Sequence, residues 1–281
     1  MWRGTLLHEL LHLPVYLNQV AGVKLEPHQC SRIPFGPHSR QYSLVLRPNV
    51  PIRAWVIYWH GGGWQFGTPE QFSVTAQPWL KAGYGVIIPS YRRLPLYQFS
   101  SIRADTIAAL ASIRKWWDEE SSDREPLPVI LLGMSAGGHL ASIVGLDKSI
   151  LSQAGWTNHK VAGVICAGGV LDLQPMRYNP VVRMLAGNPA SRLFVNANPI
   201  SHVHAEAPPF LLIHGKKDGM APFDLALRFK QAYSEVADTN QIRLIPLANG
   251  SHLDAGRWMF LANAMQKEVI GQACAWLAQV S

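Results

Sequence analysis

Residues 129–141 constrain this chain more than any other stretch: they read Val-Ile-Leu-Leu-Gly-Met-Ser-Ala-Gly-Gly-His-Leu-Ala. Four apolar residues run straight into Gly133, and Leu140, Ala141, Ile143 and Val144 then recur at helical spacing. A short apolar run followed by a 3.6-residue period specifies a buried strand turning sharply into a helix. The turn itself, Gly133-Met134-Ser135-Ala136-Gly137, fits G-x-S-x-G. In such an elbow the serine takes a strained backbone conformation and its neighbours must be tiny, which Gly133 and Gly137 satisfy. The geometry would lift Ser135 Oγ above the strand ends and aim the Ala136 N–H at a point where an oxyanion forms. A tight turn whose serine merely caps a helix is the plainer reading of the five residues. Partners elsewhere in the chain must decide between the two.

The same alternation of strand and helix runs through the chain. Strands are expected over residues 41–48, 54–59, 85–89, 129–133, 161–167, 210–214 and 242–247, and helices over 102–117, 223–236 and 255–280. Alternation with short loops and no internal repeat is the signature of a doubly wound, mostly parallel α/β sheet. No Ser/Gly-rich linker divides the 281 residues, so a single domain over 1–281 is expected, with a small cap at 168–207. That cap, carrying Pro175, Pro180, Pro189 and Pro199, reads as an irregular excursion over the strand ends. Ligands of such sheets sit outside the carboxyl ends of the strands, which directs attention to the loops after Trp59, Gly133, Ala167, His214 and Leu247.

Composition narrows the class. Hydrophobic residues make up 48% and charged residues 15%, which suits a well-buried α/β domain and excludes disorder. The net charge of +7 raises the question of nucleic acid, but the basic residues are scattered and no nucleic-acid module is present, so no such partner is expected. Three widely spaced cysteines without CxxC read as buried thiols in a reducing, cytoplasmic setting. No apolar run reaches a membrane span, and the N-terminal stretch lacks a signal-peptide pattern. Residues 1–20 place Trp2, Leu6, Leu7, Leu10, Leu11 and Leu13 on one helical face before Pro14. Histidines and a glutamate, not Lys/Arg, occupy its other face, which disfavours a membrane-surface helix. We expect a helix packed on its own domain, placed to act as a flap over a pocket.

A serine nucleophile needs a base within reach and a carboxylate to fix the base's tautomer. Asp218 lies in Gly-Lys-Lys-Asp-Gly just past one strand end, and His252 in Asn-Gly-Ser-His-Leu past the last. Each taken singly is an ordinary loop residue. Together they give the chain order Ser135, Asp218, His252 of the α/β-hydrolase triad. Asp172 is the alternative acid, and Asp105 is expected to orient a helix start. His60 is expected to shape its loop by a structural hydrogen bond and His139 to pack. His202, His204 and His214 lack metal-ligand spacing, so neither a metal nor a cofactor is expected. The stretch His60-Gly61-Gly62-Gly63-Trp64 lets backbone N–H groups approach a developing oxyanion, each donor worth about 3 kcal/mol.

These residues, with Tyr91-Arg92 and the Asp218 and His252 contexts, resemble the HGGG-bearing esterases of the α/β-hydrolase fold. That group includes hormone-sensitive-lipase-like esterases, carboxylesterases and kynurenine formamidases. The resemblance spans roughly residues 40–280 and implies that Gly62, Gly63 and Ala136 supply the oxyanion N–H groups. Met134 stands where many hormone-sensitive-lipase-like members have Asp, which leans toward the carboxylesterase and formamidase side. Hydrolysis of a small carboxylic ester is therefore expected, by a monomer or homodimer with no stable membrane insertion. Alternatives are an aryl formamidase and a non-catalytic receptor on the same fold. Trp64 is expected beside the oxyanion site, narrowing the acyl space so that formyl to butyryl groups are favoured. Leu171 and Met176 of the cap are expected to line the leaving-group side.

Overall fold

One eight-stranded sheet carries the molecule, in the order β1-β2-β4-β3-β5-β6-β7-β8. The strands are β1 (Gln29–Pro34), β2 (Tyr42–Arg47), β3 (Trp55–Trp59), β4 (Gly85–Pro89), β5 (Val129–Met134), β6 (Val161–Ala167), β7 (Phe210–Gly215) and β8 (Ile242–Leu247). β1 and β2 run antiparallel to their neighbours, and β4, β3, β5, β6, β7 and β8 are mutually parallel. The computed structural model describes residues 4–25, 28–120, 127–156, 161–261 and 264–280, so Trp2 lies outside the described residues.

The central strands are apolar on both faces because both faces are covered. Every residue of β3, β4, β5 and β7 is buried. Side chains alternate across the sheet. Val129 and Leu131 enter one core with Trp59, Val164 and Leu212, under helices α2 (Phe99–Glu120) and α3 (Ala136–Leu146). Ile130, Leu132 and Met134 enter the opposite core with Tyr58, Ile165, Ile213 and Trp258. Tyr16 and Val20 of the N-terminal helix α1 (Leu6–Gly22) pack into that second core. This is the expected doubly wound sheet of the α/β-hydrolase fold.

Several local expectations need correction, among them the helix expected over 255–280, which is two helices, Asp254–Arg257 and Ala264–Val280. The first strand, β1, was not foreseen: its only buried residue is Ile33, so the edge strand carries no apolar alternation to read. The cap is more regular than its prolines suggest. It holds α4 (Pro180–Ala186) and α5 (Arg192–Ala197), capped by the side chains of Asn179 and Ser191. Pro180 opens α4 at a position where a missing N–H is harmless, so this proline starts a helix instead of breaking one. Asp105 does not orient a helix start. It lies inside α2, where its buried carboxylate accepts the Arg92 guanidinium and backbone N–H (2.7 Å) and the Gln41 amide (2.8 Å).

α1 departs from the expected amphipathic pattern. The helix runs through Pro14, and Leu6, Leu7, Leu10 and Leu11 are 50 to 60% exposed, whereas Glu9 is fully buried. Of the apolar face expected to pack on the domain, Leu13 packs against the second core and the four other described leucines stay half exposed, while the buried positions are Glu9, Tyr16 and Val20.

Candidate active site

The turn between β5 and α3 fixes Ser135. Its φ of 55° lies in the left-handed region, and its N–H donates to the Ala167 carbonyl of the neighbouring strand end (2.8 Å). A Cβ at Gly133 would collide with the Gly137 carbonyl, and one at Gly137 with the Trp59 carbonyl. Both glycines are therefore required by close backbone approach, as the elbow pattern demands. α3 is buried along its whole length, so the elbow is held by packing on every side.

Loops after β7 and β8 bring two further side chains to the serine. The Ser135 hydroxyl donates to His252 Nε2 (2.8 Å), and His252 Nδ1–H donates to Asp218 Oδ2 (2.8 Å). Asp218 is satisfied on all sides: Oδ1 accepts the Met220 and Ala221 N–H groups (2.9 and 2.7 Å). Oδ2 also faces His214 Nε2 (3.2 Å), which donates in addition to the Ala221 carbonyl (2.7 Å). Metal-ligand spacing, which His214 lacks, does not single it out in the sequence. Its place four residues before Asp218 was the available signal, since the strand end and following turn bring the two together. Asp172 is elsewhere: it accepts Arg228 Nε (2.9 Å) and the Gln174 N–H (3.0 Å).

The electrostatics follow from burial and pairing. Burial alone would raise the Asp218 carboxyl and lower the His252 imidazole. The charge of His252 and the hydrogen bonds from His214 and His252 instead hold Asp218 well below the usual carboxylate range. The Asp218 charge and hydrogen bond, with a further contribution from Glu9, hold His252 above its ordinary value of 6.5. A base must be neutral to accept a proton, so raising its pKa moves the active range upward. We expect the acid limb of kcat/KM to turn over above pH 6.5, not below it, in a pH–rate profile with a small ester. A limb centred below pH 6 would contradict the assigned surroundings of His252.

The glycine loop faces the same point. Gly62 and Gly63 have φ of 125° and 59°, and a Cβ at Gly62 would collide with the Phe66 carbonyl. The Gly62 carbonyl turns away to accept the Gln65 and Phe66 N–H groups (3.0 and 2.9 Å). Among the described residues the N–H groups of Gly62, Gly63 and Ala136 donate to no protein acceptor. His60 forms its loop-shaping bond, Nδ1–H to the Gly61 carbonyl (2.7 Å), and is stacked between Phe72 and Tyr91. Burial pushes its pKa down to about 4, so it stays neutral. His139 donates from Nε2 to the Ala197 carbonyl (2.6 Å) and ties the cap to α3.

A cavity of about 370 Å³ opens over Ser135 and His252. Gly62, Gly63 and Trp64 form one side, Val170, Met176 and Val182 the cap side, and Leu6, Leu10, Leu13 and Tyr16 of α1 a third. Met176, expected to line the leaving-group side, lines the cavity from the cap. Leu171 does not: it is fully buried in the core, and its neighbour Val170 reaches the cavity instead. Trp64 both lines the cavity and fills the core, 3% exposed and edge-on to His139 at 5.2 Å. Among the described residues no cluster of His, Cys, Asp or Glu is arranged to hold a metal ion, and no helix is long and apolar enough to cross a membrane.

The chain is similar in sequence and fold to several known hydrolases. Esterase LipQ of Mycobacterium tuberculosis is 30% identical over 80% of this chain and 57% of its own length. Kynurenine formamidase of Danio rerio is 29% identical over 46% of this chain and 40% of its own. The chain spans little more than half the length of the first curated relatives it matches. Among solved structures, esterase B from Lactobacillus rhamnosis superposes with a TM-score of 0.76 at 20% identity, covering 96% of this chain and 92% of that one. That likeness is one of fold. Residues 48–233, about two thirds of the sequence, match the BD-FAE family model, and the chain belongs to the BD-FAE family.

Proposed function

We propose that this protein is a serine hydrolase of small carboxylic esters, with Ser135 as nucleophile, His252 as base and Asp218 as the group that orients it. The observation that carries the proposal is the unbroken hydrogen-bonded chain from Ser135 Oγ through His252 to Asp218, opening on an apolar cavity. Proton transfer from Ser135 to His252 Nε2 accompanies attack on the ester carbonyl carbon. The resulting oxyanion is received by the N–H groups of Gly62, Gly63 and Ala136. His252 then returns the proton to the leaving alkoxide, the C–O bond breaks, and water hydrolyses the acyl-enzyme by the same route reversed. Asp218 remains ionised throughout and stabilises the imidazolium as it forms.

Amide cleavage is the nearest rival, favoured by the partial likeness to kynurenine formamidase. A panel of p-nitrophenyl esters and N-formyl aromatic amines, with Ser135→Ala as control, separates the two. Ester turnover abolished in the control supports the esterase. Faster turnover of formamides would assign the site to amide hydrolysis, and no turnover of either would favour a non-catalytic binding protein. We further place the protein in the cytoplasm, on the strength of three unpaired thiols, of which only Cys166 is buried as expected while Cys30 is exposed and Cys274 half-buried, as a monomer or homodimer without a nucleic-acid partner.

Acyl size is the specificity this site should control. The Trp64 ring stands in the cavity wall beside Gly63. An acyl chain longer than about eight carbons would press on it, and each clashing methylene costs about 1–3 kcal/mol of discrimination. We expect kcat/KM for acetate over decanoate esters to exceed one, and Trp64→Ala to lower that ratio. The substitution also empties a core position, so the ratio, not the absolute rate, is the readout. A wild-type preference for decanoate, or an unchanged ratio in Trp64→Ala, would remove Trp64 from acyl selection.

A further inference from the structure

The least expected buried group among the described residues is Glu9. It lies on α1, is fully buried, and sits on a helix whose leucines remain half exposed. Its Oε1 accepts two backbone N–H groups: that of His252 (2.7 Å) and that of Gly219 (3.2 Å). One oxygen thus joins the loop that carries His252 to the loop that carries Asp218. The fit is close, because a Cβ at Gly219 would collide with the Thr5 carbonyl at the start of α1. Oε2 is buried and finds no donor among the described residues. A half-satisfied buried carboxylate is a poor stabiliser, and burying it while exposing leucines breaks the binary pattern of the helix. Such local violations concentrate at functional sites.

We propose that Glu9 is a positioning residue for the triad, a carboxylate delivered by the N-terminal helix that clamps the His252 loop to the Asp218 loop and adds its charge beside the imidazole. The proposal rests on the triad reading above. The groups that face His252 are Asp218, with His214 behind it, from the β7 side, Ser135 from the elbow, and Glu9 from α1. On its own loop, Asp254 is paired with Arg257 (2.6 Å); across on the β7 loop, Lys217 donates to Asn249 (3.1 Å). Glu9 is therefore the one negative group besides Asp218 bonded to the triad histidine among the described residues.

Glu9→Gln and Glu9→Ala separate the clamp from the charge. The Gln amide oxygen can still accept both N–H groups but carries no charge. The protonated imidazole then loses a stabilising neighbour, and His252 should titrate at lower pH by at least about half a unit. The acid limb of kcat/KM should move down with it, while the alkaline plateau stays within a few-fold of wild type. Ala leaves both N–H groups without an acceptor; kcat should fall about tenfold or more, with KM little changed. Partial rescue of the plateau by Gln relative to Ala is the signature of positioning. The His252 imidazole titration is followed by NMR in wild type, Glu9→Gln and Glu9→Ala, alongside the pH–rate profile and Tm. A downward shift in the NMR titration supports the clamp even if the chain proves inert toward esters, which would overturn only the esterase reading. An unmoved titration in Glu9→Gln, with Glu9→Ala losing Tm but not kcat, would reduce Glu9 to a packing residue and overturn the proposal.

Discussion

Ser135→Ala should lower kcat toward p-nitrophenyl acetate by about four decades or more and leave Tm and the far-UV spectrum unchanged. The size follows from how triad members act: removing the nucleophile removes the covalent route, and the remaining groups have nothing to deprotonate. What survives is the rate supplied by the oxyanion N–H groups and by binding, about 10³ to 10⁴ over water. Stability should hold because the strained turn is enforced by Gly133, Gly137 and the Ser135 N–H bond to Ala167, none of which involves the hydroxyl. The variant loses one hydrogen bond, Oγ–H to His252 Nε2. Steady-state kinetics and a thermal melt on the same preparation check both halves. Retention of more than about a tenth of wild-type turnover would be incompatible with the triad.

Asp218→Asn should be nearly as damaging, for a reason visible in its hydrogen bonds. Oδ1 accepts two backbone N–H groups and Oδ2 faces two imidazoles that both donate. An Asn can keep its carbonyl on the backbone side only by turning its NH₂ toward His252 Nδ1 and His214 Nε2. His252 can then accept only as the Nε2–H tautomer, which has no lone pair left for Ser135. The expected loss in kcat is about 10⁴-fold with little change in KM. The imidazolium also loses the charge that raises its pKa, so the residual activity should show an acid limb displaced to lower pH. A near-normal Asp218→Asn enzyme would mean that another group fixes the tautomer. Asp172 could not readily do so, because Arg228 and the cap backbone already hold it.

Most of the sheet was legible because its central strands are buried on both faces and so read as unbroken apolar runs. β5 and β3 are the clearest cases, and their ends located the elbow and the glycine loop. Asp218 and His252 were legible by order and by position after strands, a pattern that local propensity could not have supplied. What failed did so where the burial signal reverses or vanishes. β1 pairs through its backbone with an exposed outer face, leaving one apolar residue to find. α1 buries a glutamate, while Leu6 and Leu10 edge the cavity half exposed, so its periodicity located the cavity side but gave no sign that Glu9 is buried. Leu171 and Val170 are adjacent, and sequence alone gave no means to tell which turns to the cavity. The link from Glu9 to His252 spans most of the chain, and no local spacing encodes it.

Transfer of the acyl group to Ser135 is tested directly by intact-mass spectrometry. The protein is mixed with p-nitrophenyl acetate, or with a fluorophosphonate to trap the first step, quenched in acid, and digested for peptide mapping. One adduct per chain is expected, located on Ser135, absent from Ser135→Ala and strongly slowed in His252→Ala. An adduct on any other residue, or full labelling of Ser135→Ala, would contradict it.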